Sequence, residues 1–371
     1  MSAAPISIKR HLRIKDPRLN RCKRHLLIDI VTIAVCAVIA NANNWKEIAI
    51  FGRRRKEWFQ SFLELPHGIP SSHTFERLFD RLDPEVLQRC LLGWLHEISE
   101  LLGVRHIAID GKTLRHSGGG KSPHRQLHLV SAWAAEANLT LGQVAVDEKS
   151  NEITAIPSLL ELLQVKGALV TIDAMGCQKE IAKQIVEGEG DYVLAVKDNQ
   201  PQLKEDIHEC FEKAYASHCA GIRYDWHETE EAGHGRHEKR MYEVIYGPEG
   251  IRNQDAWQNL TVIGKCYSER TVKGRTSCEE RYFIGSRDCS AKQYGAALRN
   301  HWRIENNLHW QMDVSFAEDA SRIQKRSGGQ NFALLRRLAL GLLKRHPSKG
   351  SIKAKRYEAA LDVEFLEEVL K

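Results

Sequence analysis

The chain has 371 residues, 42% of them hydrophobic and 27% charged, with a formal net charge of +6. That length exceeds one ordinary core and predicts two or three modules, while the composition excludes disordered and collagen-like classes. Nine cysteines, with no CxxC pair among them, support neither a disulfide framework nor a zinc ribbon.

The first hundred residues read as helices over 26–42, 45–63, 74–82 and 84–102, broken by the Pro66 to Pro70 turn and by the Asp83-Pro84 start signal. The stretch Leu26 to Ala42 carries Asp29, is short for a membrane span, and runs into Asn41, Asn43 and Asn44 instead of a small-residue cleavage site. It reads as a buried helix, and the chain as a cytoplasmic one. From Gly103 the period changes to short strands over 105–110, 126–135, 141–146, 169–173 and 191–196. Amphipathic helices at 156–163 and 178–187 separate the later ones, and another comes after them at 200–215. This pattern predicts an α/β protein with a mixed sheet and βαβ crossovers. Residues 223–287 alternate, are rich in glycine and charged turns, and read as a β-rich insertion. Helical period returns over 290–316, 332–344 and 363–370. The expected boundaries are 1–102 (helical module with a basic arm), 103–222 (core, first part), 223–289 (insertion), 290–345 (core, last part) and 346–371 (C-terminal tail).

Charge placement points to a polyanion. Residues 9–24 hold eight Lys or Arg against Asp16 alone, and Arg322 to Arg356 holds eleven with no acid. Double-stranded DNA becomes the leading partner, bound by the N-terminal arm and helices unless those helices serve only for packing.

Two apolar runs end alike, in an aspartate with a small residue after it: His106-Ile107-Ala108-Ile109-Asp110-Gly111 and Leu169-Val170-Thr171-Ile172-Asp173-Ala174. Carboxyl ends of strands are where open α/β sheets place their ligands. Gly111-Lys112-Thr113 fails as a phosphate-binding loop, because the first glycine of that motif would fall at His106, inside a strand. A third carboxylate lies in the helix around Glu305. A 3.6-residue period aligns Leu298, Trp302, Glu305, His309 and Met312, placing Glu305 on a largely apolar face without a Lys or Arg one turn away. Asp313, Glu318 and Asp319 are its rivals. Carboxylates from two strands and a helix suit Mg²⁺, and two such ions about 4 Å apart support in-line displacement at phosphorus. Lys112 and Lys197, near the strand ends, are candidate phosphate contacts. His234-Gly235-Arg236-His237 fits a turn or an Arg236 phosphate contact better than zinc, since no cysteine pair lies near it.

The segments IPSSHTFERLFDRLDP, AIDGKTLRHS, TIDAMGCQKEIA, DYVLAVKDNQPQL, GHGRHEKR and HWRIENNLHWQMDVSFAEDASR resemble, in this order, those of ISAs-type insertion-sequence transposases, including the H-repeat-associated proteins. The resemblance runs from about Asp16 to Leu343. It implies a DDE transposase with a ribonuclease H-like core interrupted by a β-rich insertion. It makes Asp110, Asp173 and Glu305, spaced 63 and 132 residues apart, the catalytic and Mg²⁺-binding residues, with Mn²⁺ able to substitute. It further implies cleavage at element ends and strand transfer into target DNA, terminal inverted repeats as the DNA recognised, a homodimer on DNA, and a nucleoid location. Two departures stand out. Related enzymes carry Arg four residues before the Glu and Lys seven after it, where this chain has His301 and Met312. Arg299, Arg303 and His309 are the candidate replacements for DNA contact. His73 also stands where an aspartate is expected. The rival readings are a catalytically inactive, transposase-derived DNA-binding protein and a nuclease without strand transfer.

Overall fold

Helix α1 (Leu27–Ile39) has no polar face: every residue from Asp29 to Ile39 is buried, as a helix apolar on all sides requires. Asp29 is answered by the Leu65 amide, which donates to its carboxylate at 3.0 Å. A computed structural model describes residues 14–20, 23–91, 105–115, 117, 126–146, 151–233, 235–323 and 325–371. Among the described residues no helix is long and apolar enough to cross a membrane.

The stretch read as one helix over 45–63 is two, α2 (Trp45–Arg54) and α3 (Lys56–Gln60), broken at Arg55, where φ is −108° and ψ is 21°. Periodicity does not announce this break. The Arg55 guanidinium donates to Ala360 and Leu361 carbonyls, both at 2.8 Å, at the far end of the chain. Asn44 caps α2 by accepting from the Lys46 and Glu47 amides, while Glu47 accepts from the Asn43 amide at 2.6 Å, a reciprocal N-terminal cap. Helix α4 (Ser72–Phe79) comes next, then a helical stretch at 84–91.

Strands β1 (His106–Thr113), β2 (His128–Ala134) and β3 (Leu139–Ala145) succeed them, then α5 (Glu152–Glu161), β4 (Leu169–Ile172), α6 (Lys179–Glu187), β5 (Asp191–Val196) and α7 (Pro201–Ala216). Four long strands come after α7: β6 (Tyr224–Gly233), β7 (Arg236–Tyr246), β8 (Val262–Val272) and β9 (Arg275–Gly285). The chain closes with α8 (Ala291–Ile304), a π turn (Glu305–His309), α9 (Trp310–Phe316), α10 (Arg326–Arg345), α11 (Ile352–Leu361) and α12 (Val363–Val369). The class is α/β with a mixed sheet and a helical N-terminal region. In chain order β1, β2 and β3 precede β4 and β5, and helices carry the chain between the later strands.

Two compact units cut across chain order. One holds residues 1–103, 111–150 and 305–371, the other 104–110 and 151–304. In the first, β2 and β3 pair antiparallel from Leu129↔Ala145 to Ala134↔Leu139, around a turn in which Asn138 takes φ +54°. The Leu114 amide donates to the Leu127 carbonyl at 2.8 Å. Helix α10 is the unit's spine: Phe332, Leu335, Leu338, Ala339 and Leu343 are fully or nearly fully buried, and Asn331 donates to the Phe79 and Leu82 carbonyls at 2.7 and 2.9 Å.

In the second unit the strand order is β1, β4, β5, β9, β8, β7, β6. The first three are parallel, and β9 turns the sheet antiparallel by pairing with β5 from Val193↔Gly285 to Val196↔Tyr282. Residues 223–287 therefore extend the sheet of this unit. Their proximal halves are buried: Val244, Val262 and Phe283 pack with Leu169, Val193, Ala291, Tyr294 and Ala297 in one cluster. Gly264 is obligatory there, since a Cβ at that position would lie 1.9 Å from the Phe283 ring.

Candidate active site

The register of β1 and β4 places Ile109 opposite Ile172. The next residues, Asp110 within β1 and Asp173 directly after β4, therefore lie side by side on adjacent parallel strands, which run about 4.8 Å apart. Ile107, Ala108, Ile109, Val170 and Ile172 beneath them are at most 3% exposed, so the two strands form an apolar wedge with two half-buried carboxylates at its rim, past which β1 runs on to Thr113.

Asp173 is held in place by the turn it begins. Its carboxylate accepts from the Met175 and Gly176 amides at 3.1 and 3.4 Å, capping a single 3₁₀ turn (Ala174–Gly176). That turn needs glycine, because a Cβ at Gly176 would lie 2.3 Å from the Ile172 side chain. The segment leaving β5 braces it: Asn199 donates to the Ala174 carbonyl at 2.6 Å and Gln200 to that of Cys177 at 2.9 Å. The Asp173 pKa is raised, first by burial, then by the negative charges of Glu152 and Asp110. Only the two amide bonds oppose this. Carboxylates that repel one another at the end of an apolar wedge fit a hard divalent cation with oxygen ligands. Burial pushes the neighbouring Cys177 thiol up to about 12, so it supplies no thiolate nucleophile at neutral pH.

One layer behind the aspartates lies a buried polar chain. Thr171 Oγ1 is 3.0 Å from His106 Nε2 and 3.0 Å from His301 Nδ1, and all three residues are at most 9% exposed.

Glu305 opens the first unit's final segment, and the structure corrects its expected setting. Residues 305–309 form a π turn, whose i→i+5 bonds insert an extra residue and break the 3.6 period. Leu308, His309 and Met312 are buried while Glu305 is exposed, so the apolar stripe does not include it. Its rivals are held by cations within that unit. Asp313 pairs with Lys112, Glu318 with Arg337 at 2.7 Å and Asp319 with Arg115 at 3.5 Å. Glu305 pairs with no cation among the described residues.

Several cationic candidates are committed to acids. Lys112 also donates to the His309 carbonyl at 3.2 Å, Arg236 lies 3.2 Å from Glu238, and Arg299 makes two bonds to Glu231 at 2.7 and 3.0 Å. Lys197 and Arg303 are exposed; Lys197 stands near enough to Asp198 and Glu279 to lower both carboxyls but makes no ion pair with either. His237 pairs with Glu230 at 2.7 Å; His234 lies outside the described residues. His73 is exposed, 3.5 Å from Glu76.

The basic block at 322–356 is divided: Arg322, Lys325, Arg345, Lys349 and Lys353 are exposed, whereas four of its members are buried. Arg336, Arg337, Lys355 and Arg356 are at most 6% exposed and spend their donors internally: Lys355 on the Leu343 and His346 carbonyls, Arg356 on those of Val38, Ala42 and Ser315. A count of charges along the chain cannot separate these from solvated ones. Of the N-terminal block, residues 9–13 and 21–22 lie outside the described residues, and Arg18 turns inward to Asp16 and the His25 carbonyl.

Sequence reading missed Glu152, which raises Asp173, the brace at Asn199 and Gln200, and the His106-Thr171-His301 chain. An amide pair directly after a strand end was a usable signal for the brace. Nothing local signals Glu152 or the histidine chain.

An α/β protein with paired aspartates on its central parallel strands is what the residues define. Residues 103–342 match the family described as "Transposase DDE domain", and residues 9–95 match "DDE_Tnp_1-associated". The chain is 40% identical over 362 residues to "Putative transposase YncI" of Escherichia coli O157:H7, covering 96% of this chain and 92% of that one. It is 34% identical over 363 residues to "H repeat-associated putative transposase YhhI" of Escherichia coli K12, covering 96% and 95%. A piggyBac transposase synaptic complex with hairpin DNA covers 97% of this chain and 76% of its own, at a TM-score of 0.38 and 11% identity, too distant to bear on the site. The chain belongs to the DDE transposase family.

Proposed function

We propose that this chain is an active transposase that cuts DNA at the ends of its own element and joins the freed 3′-hydroxyls to target DNA. Asp110, Asp173 and Glu305 are its metal-binding carboxylates. The observation that carries the reading is the pair Asp110 and Asp173, side by side on neighbouring strands, with the Asp173 carboxyl raised by burial and by two other carboxylates. Two Mg²⁺ ions, or Mn²⁺ in their place, would supply an activated water or 3′-hydroxyl and stabilise the leaving oxygen. The chain's own part is positional. Asp110 and Asp173 present oxygen ligands from adjacent parallel strands, Asp173 is held by its amide bonds, and Glu305 offers a carboxylate that no cation occupies.

DNA contact falls to the exposed cations that no acid holds, Lys197 and Arg303, ahead of Lys112, Arg236 and Arg299, whose donors are taken; His309 is buried. End recognition is assigned to residues 1–102, with terminal inverted repeats as the DNA read. The functional form is a homodimer on two ends, at the nucleoid within the cytoplasm.

The test is cleavage and strand transfer on DNA carrying the inverted repeats that flank the gene, with Mg²⁺. Wild type is compared with Asp110→Ala, Asp173→Ala and Glu305→Ala. Joined products that vanish in all three variants while DNA binding persists support the reading. Binding without cutting by the wild type, in Mg²⁺ and in Mn²⁺, supports an inactive DNA-binding protein instead.

A further inference from the structure

We propose that His106, Thr171 and His301 form a positioning unit that fixes the two aspartates through one hydrogen-bonded chain; the proposal deepens the transposase reading and rests on it. His106 stands four residues before Asp110 on β1, Thr171 two before Asp173 on β4, and His301 four before Glu305 on α8. Side chains along a strand alternate between faces, so residues two and four apart share one. His106 and Thr171 thus lie on the face of the sheet that carries Asp110 and Asp173, one or two pleats back. The register pairs Ala108 with Thr171, so His106 reaches Thr171 diagonally, and His301 comes down from α8 onto the same hydroxyl.

The proton count constrains this chain. Thr171 has one hydroxyl hydrogen and two lone pairs, so both imidazoles cannot accept from it. The third neighbour of the hydroxyl, the Ile107 carbonyl, lies at 3.5 Å, the edge of hydrogen-bonding range. The arrangement that satisfies both 3.0 Å contacts best has His106 Nε2–H donating to Thr171 and the Thr171 hydroxyl donating to His301 Nδ1. His106 Nδ1, buried without a hydrogen-bond partner, is then a bare lone pair, which is cheaper to bury than an orphan N–H. The His106 ring is neutral at neutral pH, because burial and the nearby His301 push it down to about 4.

With Nδ1 committed to Thr171, His301 serves as a strut between α8 and the sheet. An apolar trio of the same volume would pack at lower cost, but would leave β1, β4 and α8 free to slide by the few tenths of an ångström that decide ligand geometry at a metal site. Groups that orient ligands from behind typically contribute 10–100-fold in metal affinity or activity.

Thr171→Val removes the hydroxyl and keeps the branched shape, and Thr171→Ser restores the hydroxyl. Both are compared with wild type in Mn²⁺ titration by electron paramagnetic resonance, in kcat and KM for cleavage of DNA ends, and in Tm. Thr171→Val is expected to lower Mn²⁺ affinity and kcat about 10–100-fold, with KM for DNA within about twofold, and Thr171→Ser to return both to within about threefold of wild type. His301→Leu is expected to reproduce Thr171→Val, while His301→Asn, which keeps a polar atom near Nδ1, retains most activity; this pair decides the matter should Thr171→Val not fold. Thr171→Val or His301→Leu with wild-type kcat and Mn²⁺ affinity, or a fall in Tm alone, overturns the positioning role while the transposase reading stands. A wild type that neither cuts DNA nor binds Mn²⁺ sinks both.

Discussion

Two sites, one in each unit, bury charge in opposite ways. In the first, Arg337 and Glu318 face each other at 2.7 Å with at most 1% of either side chain exposed. Burial alone would raise the Glu318 pKa, but Arg337 and Arg336 overcome it and hold it below its ordinary value. Arg356 is wrapped by carbonyls and stacks on the Phe316 ring at 4.0 Å. In the second unit, Asp173 is raised by burial and by carboxylates and is offset only by amides. Buried charge with its counterion in place is architecture, and buried charge left short of one marks where something else must bind.

The contrast is broken most sharply at Glu318. Glu318→Ala strands Arg337 beneath the surface and should cost about 3–5 kcal/mol of stability, read as a large fall in the denaturation midpoint. A loss below about 1 kcal/mol would show that the pair is not buried as described. The next effect concerns His106, whose pKa falls to about 4 from 6.5. Between those values the unfolded chain binds a proton that the folded one refuses, so its contribution is fully present above pH 6.5 and is lost as pH falls toward 4. The shift corresponds to about 3 kcal/mol. Unfolding measured across that window should show this slope, and His106→Gln should flatten it. The smallest effect has the opposite sign. A carboxyl raised in the folded state opposes folding at neutral pH and ceases to do so as pH drops through its folded value. Asp173→Asn keeps an amide-accepting oxygen and removes the repulsion, so the metal-free variant should gain about 1 kcal/mol, part of the charge term being screened by solvent. A loss of stability in metal-free buffer would mean that the site's carboxylates do not repel one another.

Legibility in the sequence tracked how local each cause is. The strands carrying Asp110 and Asp173 were readable because a short apolar run and the aspartate after it lie within six residues, although β1 continues past Asp110 to Thr113. The break at Arg55 and the π turn at Glu305 were not, since each inserts an irregularity that no hydrophobic period records; the exposure of Glu305 is a direct result of that turn. The partners of Lys112, Arg299 and Arg356 lie 201, 68 and 318 residues away in the chain, so a run of basic residues reads the same whether it faces solvent or core. His301 appeared in the sequence only as a departure from a signature, because Thr171 is 130 residues away.

The pairing of β5 with β9 has a consequence for synthesis. When Val196 leaves the ribosome, the strand that will cover its open edge is still about 90 residues from being made, a delay on the order of ten seconds at ordinary translation rates. Through that interval the nascent parallel sheet presents an apolar, unpaired edge to the cytosol. Copies translated together on one message are the neighbours best placed to stick to it, so the yield of folded protein should depend on how densely ribosomes crowd that message.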